Sequence, residues 1–374
     1  MDTRHDELIT PFVTFANLML CDLIFCKRKR TLPRHIMEII LIYLKREYLG
    51  QVLIFSAGTR MTGRAAITGK CQLYDPATGI NRVLSNTYPM SLCNQKVVKL
   101  DAGLIFGAGG RFSPQDNYTE KCFLLSLATK EYKECADLPL KISYHALVEL
   151  GDGRAFLTGG INDTDNSFLD WSLIYDHVSN VWSSTRCLPT TLAEHTMTRL
   201  LSDNILICGG HSSIMRPASA KCYIFYARSY YYESVTPMHS PRAGHAAVLL
   251  PDYRVMVIGG SFMMTDDDGY SSTPTCEIYD HVRNTWTTVD SMSTARCNHI
   301  AVLVGDYVMV IGGSNPNGNL TLSREYFCLK TLKWTSISPS PFETAPPQLS
   351  AAIKVDNFIY SFSLASYSCA STLQ

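Results

Sequence analysis

The sequence predicts an all-β fold: a closed ring of six wedge-shaped antiparallel sheets, a β-propeller, preceded by a short α-helical segment. Three observations carry this. Glycine pairs behind apolar runs recur about every fifty residues. A large side chain, followed seven residues later by an aromatic in all but one copy, keeps step with them. Four short apolar or alternating runs, divided by polar turns, fill each period, which marks a repeated supersecondary unit rather than separate domains. The composition agrees. Of 374 residues 46% are hydrophobic and 18% charged, with 23 Gly and 17 Pro scattered along the chain, which excludes disorder and collagen-like structure. The 33 basic and 33 acidic residues cancel, so the chain lacks the electrostatic footprint of a nucleic-acid binder. Thirteen cysteines, an odd number with no Cys-x-x-Cys pair and no secretory leader, argue for a reducing compartment, cytoplasmic or alternatively nuclear.

Residues 1–50 stand outside the repeat and form one domain; 51–374 form the other. Leu32-Pro33 places proline in the first turn of a helix, and Ile36, Ile40, Leu41 and Leu44 then fall on one face. Upstream, Leu8 to Cys26 is nineteen residues, largely apolar, ahead of Lys27-Arg28-Lys29-Arg30. Length and basic flank raise a membrane anchor. Pro11, Asn17 and Asp22 oppose it, since Asp alone costs about 2.5–3.5 kcal/mol near the centre of a span. A helix packed on the Ile36/Ile40/Leu44 face, or on a partner, is the expectation. The basic tetrapeptide reads as a solvated turn, with a nuclear address as the alternative.

The repeat begins at Val52. Gly109-Gly110, Gly159-Gly160, Gly209-Gly210, Gly259-Gly260 and Gly312-Gly313 close its second strands, and Ala57-Gly58 is a worn copy. Tyr74, Leu125, Tyr175, Phe225, Tyr279 and Phe327 mark the third strands; Asn81, Tyr132, Trp182, Tyr232, Trp286 and Trp334 mark the fourth. Sheets that converge on an axis crowd there, and glycine tolerates both close approach and positive φ. The large side chains then fill the wedges between neighbouring sheets, which limits exposed edges.

Seven second strands can be counted, the last ending near Phe362, against six of each other kind, and the first copy lacks its own first strand. The expectation is therefore six blades, closed by the C-terminal segment 349–355 joining the blade begun at Val52, with 356–362 surplus. Seven blades with the last half built is the runner-up.

Period near fifty, Gly-Gly, then Tyr-Asp at Tyr74-Asp75, Tyr175-Asp176 and Tyr279-Asp280, then Trp: this pattern resembles the kelch repeat, over residues 51 to about 362. Residues 31–49 resemble the opening of an F-box, with Leu32, Pro33, Ile36, Ile40, Leu41 and Leu44 on motif positions and Leu49 on the following Leu. His35 stands where that family has Glu, and only half the F-box length precedes the first strand. The joint resemblance implies an F-box-like substrate receptor of a cullin-type ubiquitin ligase, holding the Skp subunit through 31–49 and a protein partner through the ring. A kelch scaffold at the cytoskeleton is the alternative, and a propeller carbohydrate oxidase or sugar epimerase a second.

Catalytic chemistry is not legible. His145, His195, His245 and His299 occupy one repeated place, which packing explains better than a metal, and no cofactor is expected. Cys71, Cys122, Cys222 and Cys276 share one small buried slot, with Ser172 and Ser323 in the other blades. The acidic loop Asp266-Asp267-Asp268-Gly269 lacks the EF-hand alternation, and Gly107 to Gly110 is framework rather than a phosphate loop. Three Asn-x-Thr triplets, at Asn117, Asn162 and Asn319, lie in polar loops where chance matches are expected. Binding is expected on the rim shared by the 2–3 and 4–1 loops: Arg60, Arg64, Arg111, Phe112, Asn162, His211, Arg216, Phe262, Met263 and Asn315 supply the Arg, aromatic, Met and amide groups of interface centres. The stretch from Gly260 to Tyr279 is the longest of these, nineteen residues against fifteen in the three preceding blades, and long loops tend to be binding elements.

Overall fold

Hydrophobic runs of four or five residues, several of them ending at a glycine pair, can bury both faces only when sheets stack on one another. The chain does this around an axis. A computed structural model describes residues 95–337, apart from 101–102, 111–116, 127–128, 130, 214–216, 264–269, 318–320 and 322. Outside that span it gives the backbone of the strands 51–57, 69–75, 80–88, 348–349, 352–355 and 358–362. The expected helix over 32–44 and the segment 8–26 lie outside the described residues.

Five blades are regular four-stranded antiparallel sheets. The second, for example, runs Ala146–Glu149, Ala155–Thr158, Ser172–Asp176 and Val181–Ser184, and its relatives have inner strands Lys96–Leu100, Thr196–Arg199, Ala246–Leu249 and Ile300–Val304. Successive inner strands adjoin one another. The seven-residue spacing in the sequence turns out to be a cross-strand pair across the 3–4 turn: Leu125↔Tyr132, Tyr175↔Trp182, Phe225↔Tyr232, Tyr279↔Trp286 and Phe327↔Trp334.

The core lies between blades, not within them. Tyr175 stacks on Phe106 of the preceding blade with ring centroids 4.3 Å apart, and Phe225 stacks on Phe156 at the same distance. Trp182, Trp286 and Trp334 each donate their indole N–H to the segment after the preceding blade's fourth strand, at Ala136, Thr236 and Asp290, over 3.0, 2.8 and 2.8 Å. Where Tyr232 replaces Trp, its hydroxyl meets Ser172 Oγ at 2.6 Å instead. Beside two of these straps an asparagine carbonyl ties both blades. Asn180 Oδ1 accepts from its own Tyr175 hydroxyl and from Ala136 N–H of the preceding blade, both at 2.8 Å. Asn284 repeats the pattern with Tyr279 and Thr236.

The blade count differs from expectation: among the described residues there are five regular blades, not six, and the seven-bladed alternative does not appear. In place of a sixth stands a six-stranded sheet ordered Ala352–Val355, Phe358–Phe362, Gln51–Ala57, Gly69–Asp75 and Ile80–Tyr88, with Gln348–Leu349 against the end of Gln51–Ala57. Its strand Ala352–Val355 lies beside both Ile300–Val304 and Lys96–Leu100. The segment read as surplus is inserted, pairing in parallel with Gln51–Ala57 from Gln51↔Phe358 to Phe55↔Phe362. The reason is polarity. Both segments are second strands of the repeat and run in one direction, so when they share a sheet they pair in parallel. The first copy has neither a glycine pair nor a Trp to hold the regular wedge. One further reading is corrected: Arg324, not Ser323, takes the place of Cys276, because Arg324 pairs with Ile311 as Cys276 pairs with Ile258.

Candidate functional site

The 2–3/4–1 end of the ring is where the glycine pairs, the repeated histidines and the candidate binding residues converge. At Gly159 φ is +61°, and a Cβ there would stand 2.2 Å from Leu192 O and 2.9 Å from His195 Cε1, both of the next blade. At Gly160 φ is +105°, and a Cβ would meet the backbone of its own blade's Ser143 at 2.8 Å. The second glycine's N–H donates to the next blade: Gly110 to Ile142 O, Gly160 to Leu192 O, Gly210 to Arg242 O and Gly260 to Arg296 O, at 2.8–3.0 Å. The glycine pair is thus the clamp that seats each histidine against the blade before it. Burial drives His145, His195 and His299 down to about 3, and His245 well below its ordinary value, so all four are neutral spacers. His195 Nε2 shares a hydrogen bond of 2.8 Å with Thr158 Oγ1, and His245 Nε2 one of the same length with Thr196 Oγ1. Among the described residues no three His, Cys, Asp or Glu side chains gather as a metal would require.

One residue before each histidine the backbone is left-handed, with φ of +59°, +57°, +58° and +53° at Tyr144, Glu194, Gly244 and Asn298. Their peptides form a relay around the axial mouth: Glu194 N–H donates to Tyr144 O, Gly244 to Glu194 O and Asn298 to Gly244 O, at 2.9, 2.9 and 2.6 Å. The mouth carries charge. Glu194 lies half-buried with its carboxylate 3.9 Å from His211 Nε2; burial raises its pKa, and the nearby His211 and Lys96 oppose the rise. Burial lowers Lys96, and the Glu194 carboxylate opposes that in turn. Tyr118 meets Tyr144 edge to face, ring centroids 6.2 Å apart.

Two arginines that the sequence reading passed over anchor this end. Arg242 is fully buried; one nitrogen donates to Gly259 O and Thr275 O, the other to Glu277 Oε1 at 2.6 Å. Glu277 also accepts the N–H groups of His239 and Ser240. Arg296 repeats the arrangement with Gly312, Ser323 and Glu325, whose carboxylate accepts from Ser293 and Thr294. The signal was present: Arg stands three residues before His in both copies, where Ile142 and Leu192 stand in the second and third blades.

Of the expected rim residues, four have described side chains. His211 is buried, its backbone bridged in both directions to Ala193. Asn162 is buried, its amide donating to Asp165 Oδ1 at 2.8 Å, so it shapes its own turn. Asn315 is half-buried and accepts from Asn317 N–H at 3.0 Å. Phe262 is half-buried on a hairpin, Ser261–Met263 against Tyr270–Ser272, paired Phe262↔Ser271 and Met263↔Tyr270. For Met263 only the backbone is described. Arg60, Arg64, Arg111, Phe112 and Arg216, with the acidic loop at Asp266 and the F-box-like positions Leu32, Pro33, Ile36, Ile40, Leu41 and Leu44, lie outside the described residues. The structure therefore brings His211 to the axial mouth beside Glu194 and Lys96, and puts Phe262 on a separate hairpin of the fourth blade.

A family model described as the Attractin/LZTR1 beta-propeller matches residues 104–333, more than half of the chain. Kelch-like protein 41b of Danio rerio is 25% identical over 228 residues, covering 60% of this chain and 35% of that protein. Alpha-scruin of Limulus polyphemus is 26% identical over 212 residues, covering 55% and 22%. Kelch-like protein 7 of Rattus norvegicus is 40% identical over 67 residues, covering 18% and 11%. The chain thus spans between about a tenth and a third of the length of these curated relatives. The solved structure of YjhT superposes with a TM-score of 0.63 over 76% of this chain and 98% of that one, at 14% identity, which shows the fold alone.

Proposed function

Because the chain belongs to the Attractin/LZTR1 β-propeller family, we propose that it is a non-enzymatic kelch-propeller scaffold that binds a protein partner on its 2–3/4–1 face. The observation that carries this reading is the hairpin Ser261–Met263/Tyr270–Ser272. It carries a half-exposed Phe262, with Met263 beside it in sequence, on a frame that interblade hydrogen bonds tie together. An aromatic anchor on a rigid support is what concentrates binding energy in protein interfaces. Ser272 Oγ donates to Ser314 O of the next blade at 3.3 Å, which fixes the hairpin's base. His211, Glu194 and Lys96 at the axial mouth supply polar groups that set the partner's orientation more than its affinity.

The finer reading is an adaptor in the cytoplasm, or alternatively the nucleus, in which residues 31–49 hold the Skp subunit of a cullin-type ligase while the opposite face holds the target. Its support is the F-box-like spacing of Leu32, Pro33, Ile36, Ile40, Leu41 and Leu44. Co-precipitation of the full chain with and without Leu32→Ala/Pro33→Ala tests it, and equal recovery of the Skp subunit discards the ligase role in favour of the scaffold. The enzyme alternative finds no support in the curated relatives. For the face itself, Phe262→Ala is expected to weaken partner capture by about tenfold or more. A substitution at Val178, on the opposite end, should leave capture unchanged; equal capture by both would remove the hairpin from the interface.

A further inference from the structure

Every one of the eight exposed large apolar side chains among the described residues lies at a single end of the ring, in or beside the 1–2 and 3–4 turns. Leu201 and Tyr253 tip the 1–2 turns of the third and fourth blades; Val178, Tyr230, Val282 and Leu332 stand at the 3–4 turns of the second to fifth. Val178 is 83% exposed and Val282 81%. Scattered apolar residues are ordinary, but eight of them on the turns of one face give that face an apolar character that a further segment can cover. Many charges on that face are paired with one another, Arg154 with Asp152 and Arg254 with Asp252 at 2.7 Å and Arg283 with Asp280 at 2.6 Å, while the exposed Arg228 and Glu131 add one charge of each sign. The face therefore exerts little net electrostatic pull and favours an apolar occupant.

We propose that the occupant is the chain's own segment Leu8–Cys26. Gln51–Ala57 reaches the 2–3 loop at Ala57, so the chain enters that strand at Gln51, from the end of its sheet that carries the 3–4 turn between Asp75 and Ile80. Residues 1–50 are thus attached beside the apolar turns rather than beside the candidate binding rim. Fourteen of the nineteen residues from Leu8 to Cys26 are apolar, among them Phe12, Phe15, Leu18, Leu23 and Phe25. The intervening residues 27–50 can span up to about 80 Å if extended, enough to reach any turn of the face. Covering tyrosine, valine and leucine tips with this segment removes two apolar surfaces from water at once. The arrangement leaves residues 31–49 free for another partner, so it stands or falls independently of the ligase reading.

Hydrogen exchange of the full chain tests it. Amides in the turns 200–204, 227–230, 250–254 and 281–284 are expected to be protected, and Phe15→Asp/Leu18→Asp/Leu23→Asp to speed their exchange by about tenfold or more while the strand interiors stay unchanged. Equal exchange in both proteins overturns the proposal. Should the triple variant fail to fold, Val178→Cys or Val282→Cys in the otherwise native chain decides. Treated with oxidised glutathione, these thiols should form an intramolecular disulfide with Cys21 or Cys26, identified by peptide mapping. Crosslinks between two copies, or glutathione adducts alone, overturn it.

Discussion

Arg242 and Arg296 bring two full positive charges into an interior that would reject either of them alone. Each survives there because a carboxylate and backbone carbonyls take its nitrogens, while the carboxylate in turn accepts two backbone N–H groups. Such a pair stabilises little in total, yet removing one member leaves a bare buried charge, at about 3–5 kcal/mol. Glu277→Ala should accordingly lower stability by that amount in urea denaturation, and Arg242→Met/Glu277→Leu should recover the part due to the bare charge but not the part due to the His239 and Ser240 N–H groups left without an acceptor; a double variant as unstable as the single would contradict the pairing. The histidines make the opposite kind of residue-scale prediction. Their folded pKa lies below the unfolded value, so the unfolded chain binds more protons as the pH falls below about 6.5, and stability is lost on acidification at up to about 1.4 kcal/mol per histidine per pH unit. The raised pKa of Glu194 acts the other way but is one group against four. The melting temperature should therefore drop between pH 7 and 5, and His245→Gln should make that drop shallower. A profile flat over this range would mean the imidazoles are not neutral in the folded state.

At the scale of the element, the blade is defined by what it offers its neighbour. The first glycine of a pair makes room for the next blade's histidine, the second donates to that blade's backbone, and the fourth-strand Trp or Tyr ties to the blade before. A methyl group at Gly209 would stand 2.3 Å from Arg242 O with φ at +67°. Gly209→Ala should thus cost on the order of 1–3 kcal/mol from backbone strain alone, read as a lowered denaturation midpoint; a midpoint unchanged from wild type would show that the clamp yields. The sequence displayed these landmarks and their period, and the expectation that large side chains fill the wedges is met by the Phe106–Tyr175 and Phe156–Phe225 stacks. What it hid was direction. Nothing in the spacing says that a histidine packs on the preceding blade's glycine, or that Asn162 is consumed by its own turn rather than offered to a partner.

For the whole molecule, cores placed between blades make the ring cooperative, since no blade buries its own faces unaided. Closure depends on the irregular sheet, in which Gln51–Ala57 is held by Phe358–Phe362 and by Gln348–Leu349. A chain ended after Pro346 loses both and should melt at a lower temperature, in one broadened transition. If it melts as the full chain does, the C-terminal strands are dispensable for closure. Two ends of unlike character follow from the same architecture. The 2–3/4–1 end gathers the glycines, the axial charges and the Phe262 hairpin, whereas the 1–2/3–4 end gathers the exposed apolar turns and the attachment of residues 1–50.

The amino-acid sequence by itself determined the four-stranded unit, its period and the large side chains of the wedges, because these are local: a strand's length, a turn's residues and a pair seven apart are written within a single period. Tertiary structure alone decided that five blades are regular and that Phe358–Phe362 inserts beside Gln51–Ala57 in parallel. It alone decided, too, that Arg242 and Arg296 lie buried against Glu277 and Glu325. Each of those depends on which distant segment arrives as a neighbour, and a strand carries the same hydrogen-bonding groups whichever partner it meets.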